Sequence, residues 1–436
     1  MIPMYPVFKS LSISGWRQFY NVSIEFHPRL TVITGANGAG KSSLLGLLTP
    51  HFGWQRTFLG TPRKVRKNGV VSFLTGVRKR HRSQVFQPGT MQEVGQIVYS
   101  TAVTASIGVS NEGQQYNASI NNQQQVLGTF LASHRAVPVY QSVVQVSANS
   151  VAPDQAYSLY HSESVNRWAG NHHGPGPIYR LKESLVSMAM FGSKTEYSGG
   201  DESAIANLNG FVEVLRKVLP SNLGFKDLSI RTTDVVLETE TGNFVIDAAS
   251  GGVMALIDLA WQIYIYSLTT SVQGESSFTV VMDEPENHLH PSMQRSLLSN
   301  LLAAFPRAQF IIATHSPFMV SSVKDSYVYA LRYVGIDQEG SLYDESDDGP
   351  PPVKLVFSEK LDVINRAGTA GDILRDVLGV PVTVPEWVEA QLDALVNEYR
   401  DQEVSADNLN ELRNRMAALG FGELYPRALS QLFHIK

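Results

Sequence analysis

Three observations predict an α/β fold built around a phosphate-binding core. A short apolar stretch, residues 30–34, runs directly into Gly35-Ala36-Asn37-Gly38-Ala39-Gly40-Lys41-Ser42, and residues 41–48 then have helical character. Residues 278–282 and 309–313 are continuously apolar, as strands covered on both faces must be. Both stretches end in side chains suited to chemistry: Asp283-Glu284 after the first, Thr314-His315-Ser316 after the second.

The other elements follow in chain order. Residues 8–26 read as a hairpin, with a turn at Ser14-Gly15-Trp16-Arg17 and strict alternation in the second arm. Residues 95–132 alternate around the polar tip Asn111-Glu112-Gly113, which predicts an antiparallel sheet added to the core. Residues 147–223 are mostly helical, with loops at 161–177 and 192–201. Residues 225–247 return to strands, and 250–268 form a helix that is apolar nearly all round. After Tyr343 a linker of Asp, Glu, Gly and Pro, residues 344–352, leads to a helical C-terminal region. The predicted division is 1–145 (first core lobe with the glycine-rich loop and antiparallel sheet), 146–225 (helical subdomain), 226–343 (rest of the core) and 344–436 (acidic linker and helical region). No internal repeat is present.

Composition narrows the function classes. Of 436 residues 43% are hydrophobic, which supports a sizeable core and excludes global disorder. There is no Cys, so disulfide scaffolds, thiolate zinc sites, Fe–S clusters and cysteine nucleophiles are excluded together. No apolar run reaches the roughly 20 residues of a membrane span, and the first eight residues lack the layout of an export signal. A soluble, cytoplasmic protein without a membrane partner is expected. The net charge of −5 hides an asymmetry. Between Phe26 and Gln92 there is no acid, and Arg29, Lys41, Arg56, Arg63, Lys64, Arg66, Lys67, Arg78, Lys79, Arg80 and Arg82 give +11, while residues 335–436 carry −10. The stretch from Arg63 to Arg82, which contains Phe73, is the candidate nucleic-acid contact. It reads equally as a solvated face or as a contact for an acidic partner.

The glycine-rich run is a full G-x-x-x-x-G-K-S P-loop between a predicted strand and a predicted helix. Its glycines let backbone N–H groups converge on phosphate oxygens, and the helix N-terminus adds positive potential. Lys41 is placed to reach the β- and γ-phosphates, and the Ser42 hydroxyl to hold Mg²⁺. Asp283 and Glu284, at the carboxyl edge of a buried strand, suit a water-mediated Mg²⁺ contact and the orientation of an attacking water. His315 ends the third strand, where it can meet the γ-phosphate. Ser250 suits the N-cap of the apolar helix, and Gly251 and Gly252 allow close approach, which makes a second anion site. His288 and His290 are read as shaping the turn after the acids, with metal ligation beside Asp283 as the alternative. The acids of residues 344–348 are read as a solvated linker, since no strand fixes them.

Taken in order, the P-loop, Ser250-Gly251-Gly252, Asp283-Glu284 and His315 resemble the ABC-type ATPases, within them the branch that includes RecF, the SMC proteins and the OLD-like ATPases. Ile13-Ser14-Gly15-Trp16-Arg17-Gln18-Phe19 is similar to that branch's opening, with Trp16 in place of its Phe. The runs from Asp283 to Pro291 and from Ala313 to Pro317 also match it. Residues 246–252, Ser133-His134-Arg135 and residues 371–379 are similar to the ATPase subunits of Septu-like and retron-associated anti-phage systems. The resemblance implies an ABC-type P-loop NTPase core that takes ATP and Mg²⁺. It also implies a head-to-tail homodimer or a higher oligomer of dimers, in which Lys41 and Ser42 of one copy face Ser250 and Gly252 of another. Gly35, Asn37, Gly38, Ala39, Gly40 and Ser43 belong to the nucleotide loop. Gln141, with Gln145 as its neighbouring alternative, is the candidate glutamine sensor and third metal contact; Arg17 and Arg135 are candidate nucleotide contacts. The signature departs from L-S-G-G-Q, with Ala249 and Val253 at its flanks.

The resulting expectation is an ATP-hydrolysing switch subunit, with Glu284, His315 and Lys41 as catalytic residues, that gates a separate nuclease or toxin. A RecF-like DNA-repair ATPase is the alternative. A transporter subunit and a non-hydrolysing scaffold fit less well.

Overall fold

The computed structural model describes residues 5–64, 71–78, 89–133, 140–146, 150–171, 176–194, 199–270, 272, 276–335, 354–362, 368–378, 385–400 and 405–433. The chain divides into two compact units, residues 1–373 and 374–436.

The larger unit is organised by one mixed sheet. Its strands are β1 (Phe8–Trp16), β2 (Phe19–Glu25), β3 (Leu30–Gly35), β7 (Met91–Tyr99), β8 (Thr104–Ser110), β10 (Ser119–Asn121), β11 (Gly128–Leu131), β15 (Phe278–Asp283), β16 (Ala308–Ala313), β17 (Tyr327–Gly335) and β18 (Lys354–Lys360), numbered with the short pairs β4 (Phe58–Leu59), β5 (Thr61–Lys64), β6 (Val71–Leu74) and β9 (Gln115–Tyr116) between them. The order across the sheet is β10-β8-β7-β1-β2-β18-β17-β3-β16-β15-β11. From β17 through β3, β16 and β15 to β11 every pairing is parallel, and β3, β16, β15 and β11 are buried throughout. The other end, β1, β2, β7, β8 and β10, is antiparallel and alternates. Helix α1 (Lys41–Leu48) packs on β3, β15 and β16, and its leucines enter the core beneath the sheet.

The helical subdomain consists of α2 (Pro153–Trp168), α3 (Pro177–Gly192) and α4 (Glu202–Val218). A three-stranded sheet follows, β12 (Phe225–Arg231), β13 (Asp234–Thr239) and β14 (Phe244–Val245). Helix α5 (Gly251–Ser267) then runs between α2, α4 and β11, which explains why it is apolar on every side. Helix α6 (Pro291–Ala304) and the turn α7 (Pro317–Val320) complete the unit. Arg29, counted above in a basic lobe, is a structural cation. Its guanidinium donates to the carbonyls of Leu302, at 2.9 Å, and of Phe305 and Ala308, closing the C-terminal end of α6.

Three expectations are corrected. The hairpin turn lies at Arg17-Gln18, because Trp16 pairs with Phe19 and is buried; Arg17 takes the turn's left-handed φ of 52°. Residues 128–131 leave the antiparallel sheet and form the parallel edge strand β11, as a fully buried rather than alternating segment should. Residues 354–360, assigned to the linker and helical region, form β18. That strand pairs antiparallel with β17 and parallel with β2, joining the hairpin to the parallel strands. The 344–352 linker lies outside the described residues.

The unit 374–436 has its own core: Val388, Leu392, Val396, Leu412, Met416 and neighbours from the helices Glu386–Arg400, Ala406–Ala418 and Tyr425–Leu432. Ser405 caps the second of these helices. Among the described residues no helix is long and apolar enough to cross a membrane.

Arg29→Met should lower unfolding stability by about 1.5–3 kcal/mol, because it leaves several carbonyls near a helix end without their charged donor. Denaturant titration against the wild-type chain measures this.

Candidate active site

Two glycines make the loop after β3 possible. Gly35 has φ 138°, and a Cβ there would stand 2.5 Å from the Leu331 carbonyl oxygen of the adjoining β17. Gly40, the N-cap of α1, has φ 100°, and its Cβ would lie 2.4 Å from the Phe19 ring. Only glycine accepts both constraints. Between them Asn37 and Gly38 are exposed, while Ala39 is buried; Ser42 and Ser43 are half-buried. Gln18 Nε2 donates to the Gly38 carbonyl at 3.1 Å and ties the hairpin turn to the loop.

Lys41 is 5% exposed. Its ammonium donates to the carbonyls of Gly35 (2.9 Å) and Ala36 (3.2 Å) and meets His315 Nδ1 at 3.3 Å, which occupies all three protons. Burial pulls its pKa down to about 8, opposed by the nearby carboxylates of Glu284, Asp283 and Glu286. Ser42 Oγ donates to Asp283 Oδ1 at 3.1 Å. Burial also raises the Asp283 pKa, with Ser42 acting against it and Glu284 adding to it. Arg56 fastens the same corner by donating to the Ser42 carbonyl at 2.8 Å.

Glu284 follows β15 at φ 47°, a strained value for a non-glycine residue, held by its N–H bond of 2.9 Å to the Ala313 carbonyl. Its carboxylate accepts from Asn287 Nδ2 at 3.1 Å and lies 3.4 Å from His315 Nε2. Burial first, then Lys41, lowers the His315 pKa, so the imidazole is neutral near pH 7. With Lys41 donating to Nδ1, the remaining proton sits on Nε2 and faces Glu284.

The donor set fits a magnesium–triphosphate group. The Gly35 and Gly40 positions admit no side chain, a buried lysine lies within the loop, and Ser42 and Asp283 offer paired hard oxygens. Among the described residues no cluster of three or more His, Asp or Glu could hold a metal by itself, so such an ion would need phosphate oxygens and water as well.

Residues 10–131 match the family described as "AAA domain", and residues 213–321 match "AAA domain, putative AbiEii toxin, Type IV TA system". The fold is that of a P-loop ATPase core. The chain is similar to Septu and retron ATPases. Septu protein PtuA of Bacillus thuringiensis is 26% identical over 206 residues, 44% of this chain and 45% of that protein. The "Retron Ec83 probable ATPase" of Escherichia coli is 25% identical over 177 residues, 39% of this chain and 30% of that one. The match therefore spans less than half the length of either relative. The SMC head domain from Thermotoga maritima aligns over 82% of this chain and 99% of its own, with 14% identity and a TM-score of 0.38.

In this fold the predicted site residues fall into two groups. Lys41, Ser42, Asp283, Glu284 and His315 meet at one sheet edge. Ser250 caps α5, accepting from the Val253 N–H at 3.4 Å; Ser250 and Gly251 are exposed, and Gly252 lies beside the His288 carbonyl and Met293. Among the described residues no hydrogen bond joins this tip to the P-loop. Gln141 is exposed, and its carbonyl accepts from Lys182 Nζ. Arg17 spreads its guanidinium over Trp16 and Phe58 and lines a groove of about 370 Å³ with Gln18, Arg78 and Lys354. Arg135, and half of the stretch from Arg63 to Arg82 (residues 65–70 and 79–82), lie outside the described residues. His290 is the N-cap of α6, in keeping with a turn-shaping role.

Sequence reasoning passed over Glu286. It is buried, and its Oε1 accepts from the Thr314 hydroxyl and from the His315 N–H at 2.8 Å, which fixes the end of β16 where the imidazole starts. A carboxylate two residues after an acid pair was the available signal.

At pH 8.5 the free site holds Lys41 mostly neutral, since its pKa is about 8, and a triphosphate favours the ammonium. ATP binding at that pH should take up more than about half a proton, against almost none at pH 6.5. Calorimetry in buffers of different ionisation enthalpy reads this, and Lys41→Met should abolish it. Glu286→Ala should lower kcat roughly tenfold or more through a misplaced His315, with nucleotide affinity within about twofold of wild type.

Proposed function

We propose that this chain binds and hydrolyses ATP with Mg²⁺, closes head to tail on a second copy around the nucleotide, and so controls a separate nuclease or toxin in anti-phage defence. The observation that carries the reading is the contact set Lys41–His315–Glu284 beside Ser42–Asp283. When bound, ATP supplies the phosphoanhydride bond, and Mg²⁺ the charge that neutralises its outer oxygens. The loop amides and the α1 N-terminus bind phosphate; Lys41 exchanges a main-chain carbonyl for a phosphate oxygen. Ser42 and Asp283 hold the ion. Glu284, kept in place by Asn287 and by the proton on His315 Nε2, orients water and accepts its proton.

The assembly follows from where the second anion site points. Ser250 and Gly251 are exposed at the tip of a helix whose remainder is buried, so their anion-binding groups face outward. A second copy's triphosphate is the ligand they suit. The likeness to PtuA and to retron ATPases supports the defence setting.

Glu284→Gln should reduce ATP turnover by about 10²-fold or more and accumulate an ATP-dependent dimer in size-exclusion chromatography. Ser250→Arg should bind ATP yet remain monomeric. An unchanged assembly state of Glu284→Gln with and without ATP would overturn the head-to-tail reading.

A further inference from the structure

The helical subdomain contains a buried cation that the site described above does not use. Lys182, on α3, is 1% exposed and forms an ion pair with Asp247, itself 3% exposed. Its ammonium donates to Asp247 Oδ2 at 2.7 Å and Oδ1 at 3.0 Å, and to the main-chain carbonyl of Gln141. The Tyr140 ring lies 5.4 Å from the same nitrogen, and the Tyr140 hydroxyl donates to Asp234 at the start of β13. Three separate parts of the chain therefore meet on one nitrogen: the segment 140–146, helix α3, and the turn Ile246–Ala248 that follows β14.

That turn ends two residues before the Ser250 cap. Ile246 is fully buried, and the Ala249 N–H closes back on its carbonyl at 3.1 Å, so Asp247 has little freedom to move without carrying residues 249–251 with it. An ion pair this deeply buried contributes little net stability relative to apolar side chains of similar volume. What it supplies is direction, because an ammonium with all three donors engaged fixes its partners along fixed vectors, whereas an apolar contact slides.

We infer that Lys182 is a positioning residue that locks the exposed Ser250-Gly251-Gly252 tip to the Gln141 segment, so that any displacement of that segment is passed to the tip. This rests on the proposed function only for the tip's role in assembly; the mechanical link belongs to the single chain.

The test replaces the pair rather than breaking it. Lys182→Met alone leaves the Asp247 carboxylate buried without its partner and is expected to destabilise the chain. The double variant Lys182→Met/Asp247→Leu should melt within about 3 °C of wild type. In this variant without nucleotide, the amides of residues 249–254 should exchange with deuterium about tenfold faster than in wild type, while those of α1 and β15 stay unchanged. The ATP concentration giving half-maximal assembly should rise several-fold, with binding of a fluorescent ATP analogue to the monomer unaltered. Wild-type exchange at residues 249–254 in the stable double variant would overturn the inference and leave the pair a packing element. If wild-type chains fail to assemble with ATP while the exchange difference persists, the assembly proposal falls and the link stands.

Discussion

Placing one ammonium group inside the protein is the constraint on which the rest of this site depends. Lys41 lies within the loop it belongs to, and desolvation alone would drive off its proton. The molecule answers with two main-chain carbonyls, an imidazole nitrogen and three carboxylates nearby. Each of those groups is fixed by something else. The carbonyls are held by the glycine geometry at the end of β3. His315 is held through its main chain by Glu286, and Glu284 by the Ala313 carbonyl and Asn287. The charge is thus distributed over three parallel strand ends, and moving one of them changes the proton affinity of the others.

The parallel arrangement explains how residues almost 300 positions apart cooperate. Strand β16 lies between β3 and β15, so its carboxyl end brings His315 between Lys41 and Glu284. Carboxyl ends of neighbouring parallel strands share one sheet edge, and the side chains after them must crowd together. Burial first, with the charge of Glu284 adding to it, raises the Asp283 pKa, and burial first, then Lys41, lowers the imidazole's.

The Ser250-Gly251 tip obeys a different rule. Helix α5 is buried along its length but presents its first residues to solvent. Its orientation is set by what precedes it, a short turn anchored by a buried ion pair to the helical subdomain. The geometry around Lys41 is therefore local to the sheet edge, and that of the Ser250 tip is local to the subdomain. The segment near Gln141 touches the second through its carbonyl on Lys182.

Much of this was legible in the chain of amino acids. Glycine spacing, an apolar strand ending in two acids, and a Ser-Gly-Gly step into a helix are local signals. The physics they encode, backbone freedom and helix capping, acts within a few residues. Hence the sequence by itself determined the loop, the α1 and α5 boundaries, and the identities of Lys41, Asp283, Glu284 and His315. Only the tertiary structure decided that residues 354–360 complete the sheet, that residues 128–131 run parallel at its edge, that Arg29 caps α6, and that Glu286 and Lys182 hold other residues in place. Those outcomes depend on partners brought together by folding, and a side chain's hydrogen-bond partner 29 or 65 positions away leaves no periodic trace in the chain.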